Sequence, residues 1–151
     1  MLYLACPYSH SDPTISRQRY HLACRAAARL MQSGVVVFSP LANSVPAVEF
    51  GGLELSHPEF MSLDLPVLER CDEMLVLALD GWQQSLGVQQ ELGTAIALKK
   101  PVTIIKEEEI ERLPAISNAA KCFLTSSLLV LQPNNMLVHQ PNNIVTEVND
   151  A

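Results

Sequence analysis

Short, continuous apolar runs separated by stretches of helical periodicity organise most of this chain. Leu2-Tyr3-Leu4-Ala5-Cys6, Val35-Val36-Val37-Phe38, Met74 to Leu79, Val102-Thr103-Ile104-Ile105 and Leu128-Leu129-Val130-Leu131 each read as a strand buried on both faces. Between the first two runs, Tyr20, Ala23, Cys24, Ala27, Leu30 and Met31 recur at helical spacing. Asp12-Pro13 supplies an N-cap and a proline at the first helical position, and Gly34 supplies the stop. A second helix is predicted from near Pro58, capped by Ser56 or His57, to about Arg70, kinked or restarted at Pro66, whose ring removes an N–H and crowds the preceding turn. Gly87 to Leu98 is the helix after the third strand, and another is expected between Glu107 and Phe123, interrupted near Pro114. Residues 41–57, with Pro46, Gly51 and Gly52, read as an irregular loop over a crevice. Buried strands alternating with helices predict a three-layer α/β domain of Rossmann or flavodoxin type. Its sheet is expected to hold five parallel strands, with the site at their carboxyl ends.

This domain is expected to span residues 1–131, followed by an extension over 132–151. In the extension Gln132-Pro133-Asn134-Asn135 recurs as Gln140-Pro141-Asn142-Asn143, each copy followed by an apolar pair. Proline, paired asparagines and few large apolar residues suggest weak order. The alternative is that each copy turns into a short strand docked on a partner subunit.

Composition narrows the function. At 151 residues and 48% hydrophobic content, the chain makes one domain with a proper core. A net charge of −6 argues against nucleic-acid polymers and anionic membranes, which call for basic patches. It leaves room for a mononucleotide, whose phosphate needs only N–H groups and one or two arginines. Cys6, Cys24, Cys71 and Cys122 are scattered through apolar segments without metal-ligand spacing, as reduced packing thiols are. The apolar start is too short for a signal peptide, and no run approaches a membrane span. A soluble, cytoplasmic protein is expected.

The chemistry concentrates in Ser85-Leu86-Gly87-Val88-Gln89-Gln90-Glu91-Leu92-Gly93, which follows the third strand and opens a helix. Free N–H groups at such a terminus suit a phosphate. Glu91 lies about one and a half turns further in, beyond the first turn where the helix end favours acids. The plain alternative is a Ser85 N-cap followed by a surface glutamate. The strand ends also bring together Tyr3 to His10, including Tyr8, the loop after Phe38, Asp64, and Asp80 to Ser85. Two carboxylates, Asp64 and Glu91, with the Tyr3 phenol nearby, suit cleavage of a glycosidic bond: one acid attacks or stabilises the anomeric carbon and the other manages the leaving group. Against this, Asp64 can be read as capping a helix restarted at Pro66, and Asp80 as a turn residue before Gly81. Trp82 suits either stacking on a nucleobase or packing. Cys6 with His10 resembles a thiol–imidazole pair, although a strand-end cysteine before Pro7 fits packing better. There is no Walker loop, dinucleotide fingerprint or G-x-S-x-G, so kinase, dehydrogenase and hydrolase-elbow chemistry lack support.

Leu2-Tyr3-Leu4-Ala5-Cys6-Pro7, Val37-Phe38-Ser39-Pro40, Asp64, Cys71-Asp72 and the Ser-x-Gly-x-x-x-Glu-Leu-Gly at 85–93 together resemble the nucleoside 2-deoxyribosyltransferase-like superfamily. The match runs in order from Met1 to about Ile105. Its last element is most similar to the 2′-deoxynucleoside 5′-phosphate N-hydrolase branch. Leu4 to His10 with Gly81-Trp82 also resembles a poorly characterised bacterial subgroup. The resemblance implies a nucleophile at Glu91, an acid near the leaving base at Asp64 and an orienting tyrosine at Tyr3. Ser85 would contact the sugar's 5′ end, with Gly87, Trp82, Tyr8 and Asp80 also around the substrate. Transferases acting on free nucleosides carry an aspartate where this chain has Ser85, and an aspartate would repel a 5′-phosphate that serine and the Gly87 N–H would bind. The reaction implied is hydrolysis of a nucleoside 5′-monophosphate, with base exchange on nucleosides as the alternative and a non-catalytic nucleotide-binding domain as the rival. Neither cofactor nor metal is implied, and a homo-oligomer, dimer or higher, is expected. Two segments depart from the pattern. Tyr8-Ser9-His10-Ser11 stands where the phosphate branch has a Gly/Arg-rich loop, for which Arg17 and Arg19 are approximate substitutes. The Asn-rich tail has no counterpart to the transferases' C-terminal segment.

Overall fold

A computed structural model describes residues 1–113, 129–131 and 137–138 of the chain. Its sheet has the order β2-β1-β3-β4-β5-β6, with β1 at Leu2–Ala5, β2 at Val37–Phe38, β3 at Glu73–Leu77, β4 at Val102–Ile105, β5 at Leu129–Leu131 and β6 at Leu137–Val138. The first four strands are parallel. The fifth apolar run does form a strand, but it pairs antiparallel with β4, and β6 pairs antiparallel with β5. The expected five-stranded parallel sheet is therefore four parallel strands with an antiparallel edge, an arrangement common on open α/β sheets. The strand after the first Gln-Pro-Asn-Asn copy thus lies on its own chain's sheet.

Alternation along β1 decides the layers. Leu2 and Leu4 join the core under α1 (Pro13–Gln32), with Ala23, Ala26, Ala27 and Leu30. Tyr3 and Ala5 point to the opposite face, into a core with Leu68 of α3 (His57–Arg70) and Val88 and Ala95 of α4 (Leu86–Ala97). A slip of one residue in β1 would send Tyr3 to the wrong layer.

The helices open as the sequence predicts where a cap precedes a proline. Thr14 N–H donates to Asp12 Oδ1 at 2.8 Å, with Pro13 at the first position of α1. Ser56 N–H donates to Glu59 at 2.7 Å at the start of α3. Three expectations fail. Most of 41–57 is not a loop: Pro40–Gly51 form a helix, α2, capped by Ser39 and closed by Gly52 at φ +68°, and only 52–56 are irregular. Pro46 withholds one backbone bond inside it, but buried Val45 and packing on α1 hold the turn together. Likewise α3 runs unbroken through Pro66, anchored by Met61 before the proline and Leu68 after it. Beyond β4, Glu107–Arg112 are a 3-10 helix rather than the start of an α-helix, and residues 114–123 of that expected helix lie outside the described residues. No helix among the described residues is long and apolar enough to cross a membrane.

Candidate active site

From β1 the chain passes to β2 on one side and then to β3 on the other, so the order reverses at β1. Crevices form at the carboxyl ends of strands at such a point. A cavity of about 620 Å³ opens there, within the range of small-molecule sites. Segments leaving β1, β2 and β3 wall it, together with α2, α3 and α4.

Glu91 forms its floor. Val88, Glu91 and Ala95 make one buried stripe of α4, so the carboxylate occupies a position that helix geometry assigns to the core. It is only 6% exposed. The Tyr3 hydroxyl, fully buried, donates to Glu91 Oε1 at 2.7 Å. The surface-glutamate alternative is thereby set aside. Burial pushes the Glu91 carboxyl up to about 8, against the donation from Tyr3, which favours its anion, and with the nearby Asp64 charge raising it further. Burial and then the Glu91 charge drive the Tyr3 phenol far above its ordinary value, so it stays a donor.

Asp64 enters the cavity from the middle of α3. Because α3 is continuous, Asp64 caps nothing, and its carboxyl is half-buried and pushed up to about 6 by desolvation. Ser85 is the N-cap of α4, its Oγ accepting from Val88 N–H at 3.5 Å, and it also lines the cavity. Gly87 lines it beside Ser85; a Cβ there would lie 3.6 Å from His57 Cε1. Tyr8 contributes from the loop after β1.

Five of the eight expected site residues thus line one cavity: Glu91, Asp64, Ser85, Gly87 and Tyr8. Tyr3 stands directly behind Glu91. Trp82 and Asp80 lie outside the wall. Trp82 is half-buried against the core that contains Tyr3, and Asp80 is exposed, offering its main-chain carbonyl to Arg19. Arg17 and Arg19 do not stand in for the phosphate-branch arginines: Arg17 pairs with Glu49, and Arg19 is buried among carbonyls. The thiol–imidazole pair is absent, since His10 Nδ1 accepts from Asp12 N–H at 2.9 Å. The Cys6 thiol donates to main-chain carbonyls and is pushed by burial up to about 12, as a packing thiol.

Sequence reasoning missed the opposite wall. Val45 and Val48 of α2, with Phe60 and Met61 of α3, give it an apolar side. It also missed His57, which lines the cavity beside Gly87 with Nε2 3.0 Å from Gln90 Oε1. The pairing of Ser56-His57-Pro58 with a glutamate three residues after the serine marks the helix start, but nothing local marks the imidazole as facing α4. Among the described residues, no lysine or arginine lines this cavity.

A solved 2-deoxyribosyltransferase from the psychrotolerant bacterium Bacillus psychrosaccharolyticus is similar to this chain, with 30% identity over 70% of this chain and 71% of the other and a TM-score of 0.50. The fold and the comparison define a member of the nucleoside 2-deoxyribosyltransferase-like superfamily. Within it, residues 1–107 match the model of the family described as "Domain of unknown function (DUF1937)", to which the chain belongs. No curated protein matches the sequence.

Proposed function

We propose that this protein cleaves the base–sugar bond of a nucleoside 5′-monophosphate through a covalent glycosyl–Glu91 intermediate. The observation that carries the reading is the Tyr3–Glu91 hydrogen bond on the floor of a cavity that Asp64 and Ser85 also line. Burying a carboxylate costs stability, and a strongly perturbed acid held in a cleft marks a functional-site candidate. Similarity to a 2-deoxyribosyltransferase supports nucleoside glycosyl chemistry in general.

In this mechanism the Glu91 carboxylate attacks C1′ as the C1′–N bond breaks, and the Asp64 carboxyl donates a proton to the departing base. Water, deprotonated by Asp64, then cleaves the glycosyl ester and releases sugar phosphate with retention. The two carboxyls face one crevice. Burial favours a proton on Glu91, whereas the mechanism requires its anion. Tyr3 donation favours that anion, and positive charge developing at C1′ favours it further. The α4 N-terminus with Ser85 would receive the 5′-phosphate.

One observation favours a second reading, base exchange on free nucleosides. With two acids and no lysine or arginine in its described wall, the cavity offers a dianion few partners. The deciding experiment incubates the protein with nucleosides and nucleoside monophosphates, with and without a second free base, and follows base release and exchange. Release from monophosphates alone supports hydrolysis, exchange on nucleosides supports transfer, and ligand binding without either leaves a binding module.

A further inference from the structure

Arg19, in the second turn of α1, is 8% exposed, yet no described carboxylate pairs with it. Its Nη1 donates to the main-chain carbonyls of Ser9 at 2.8 Å and Tyr8 at 3.3 Å, and its Nη2 to that of Asp80 at 2.7 Å. A buried cation satisfied by carbonyls alone is an expensive way to fill space. What it joins explains it. Tyr8 and Ser9 leave β1, Asp80 leaves β3, and the loops they belong to carry Tyr8, Ser9, Gln84 and Ser85 into the cavity wall. The planar guanidinium donates in both directions at once, which a lysine ammonium cannot do over the same span. Gly81 completes the contact: its φ is +75°, and a Cβ there would meet Arg19 Nη2 at 3.4 Å.

We propose that Arg19 is a positioning residue that fixes the gap between these two loops and thereby places Ser85 and Tyr8 over Glu91. Its catalytic consequence rests on the function proposed above, but the loop clamp itself does not.

The chain's single tryptophan, Trp82, directly follows Gly81 on the clamped loop and reports on it without any substrate. In Arg19→Lys, acrylamide quenching of Trp82 should rise about twofold or more in folded protein, because the loop loses its second anchor. KM for whichever nucleoside or nucleotide is cleaved should rise about 10- to 100-fold, with kcat held within about threefold and the pH profile unmoved, as for a misplaced binding loop. Gly81→Ala keeps the guanidinium and strains the loop beside it, because an alanine there must hold φ near +75°. It should reproduce both effects, and the double variant should add little to either. Wild-type quenching and KM in a folded Arg19→Lys protein would overturn the proposal. So would a fall in kcat with KM unchanged, or full additivity in the double variant. If Arg19→Lys does not fold, Gly81→Ala decides alone, and wild-type quenching and KM there are fatal. If the wild type cleaves nothing, the proposed function fails while the quenching comparison still tests the clamp.

Discussion

The Tyr3 hydroxyl, on the first strand, donates to Glu91 Oε1 across 88 residues of sequence at 2.7 Å. This bond is the force in the cavity that most directly favours charge on Glu91, since burial and Asp64 both oppose it. Tyr3→Phe keeps the buried ring and removes the donor. The Glu91 carboxyl should then rise further, and the limb of kcat/KM that Glu91 sets should move to higher pH. Activity should fall about 10- to 1,000-fold at neutral pH and recover in part at alkaline pH. A loss that is constant across the pH range would show that the phenol acts by some other route.

Glu91→Gln should lower base release by several orders of magnitude, far beyond the ~1.4 kcal/mol that a tenfold loss represents. It should also stabilise the fold at alkaline pH. Glu91 has its carboxyl raised from 4.5 to about 8 in the folded protein. As pH rises through about 4.5 the unfolded chain ionises there while the folded one keeps its proton, so folding is progressively disfavoured until about pH 8, where the penalty is complete. Glutamine still accepts from Tyr3 and carries no such penalty. Its advantage should be near zero at pH 4 and several kcal/mol above pH 8, read as a difference in Tm. Equal Tm values at pH 9 would mean that the carboxylate is not desolvated.

Much of this was legible in the sequence, and the gaps have physical reasons. The four parallel strands, the capped helix starts and the meeting of Glu91 with Asp64 follow from apolar runs, Asp-Pro and Ser-Pro signals and strand-end topology. The direction of β5 was hidden because a short apolar run carries no mark of its orientation. Pro46 and Pro66 read as breaks, yet burial of Val45, Met61 and Leu68 outweighs one missing backbone bond in each helix. Arg19 was read only as an approximate phosphate partner and His57 only as a helix start, because their roles depend on which segments tertiary packing brings to them. Trp82 was ambiguous for the same reason, and packing claims it.

Asp64→Asn tests the proposed acid. Removing the proton donor should slow first-turnover base release from ordinary nucleoside substrates by roughly two to four orders of magnitude and spare the first-turnover burst from a nitrophenyl glycoside, whose leaving group needs no proton, while later turnovers slow on both because Asp64 also activates the water. Burial raises the Asp64 carboxyl to about 6, so in the wild type this acid loses its proton at higher pH than an exposed aspartate does. The corresponding alkaline limb of the pH profile should vanish in the variant. Equal first-turnover losses on both substrate types would assign Asp64 to positioning instead.

Ser85 separates the two readings of the substrate. Its Oγ accepts from Val88 N–H as the N-cap of α4, and aspartate fills that role equally well, so Ser85→Asp leaves the helix intact. What changes is charge and donation: a carboxylate would face any 5′-phosphate held at this helix end, and the hydroxyl donor would be gone. Monophosphate binding should weaken by about 1–3 kcal/mol, the scale of a lost charge-assisted hydrogen bond with added repulsion. Free nucleosides should bind as before or better, because a 5′-hydroxyl can donate to the new carboxylate. Calorimetric titration of both ligands into both proteins measures this directly, with the variant's Tm confirming the cap. Unchanged monophosphate affinity would move the phosphate away from Ser85 and leave base exchange on nucleosides as the better account of the cavity.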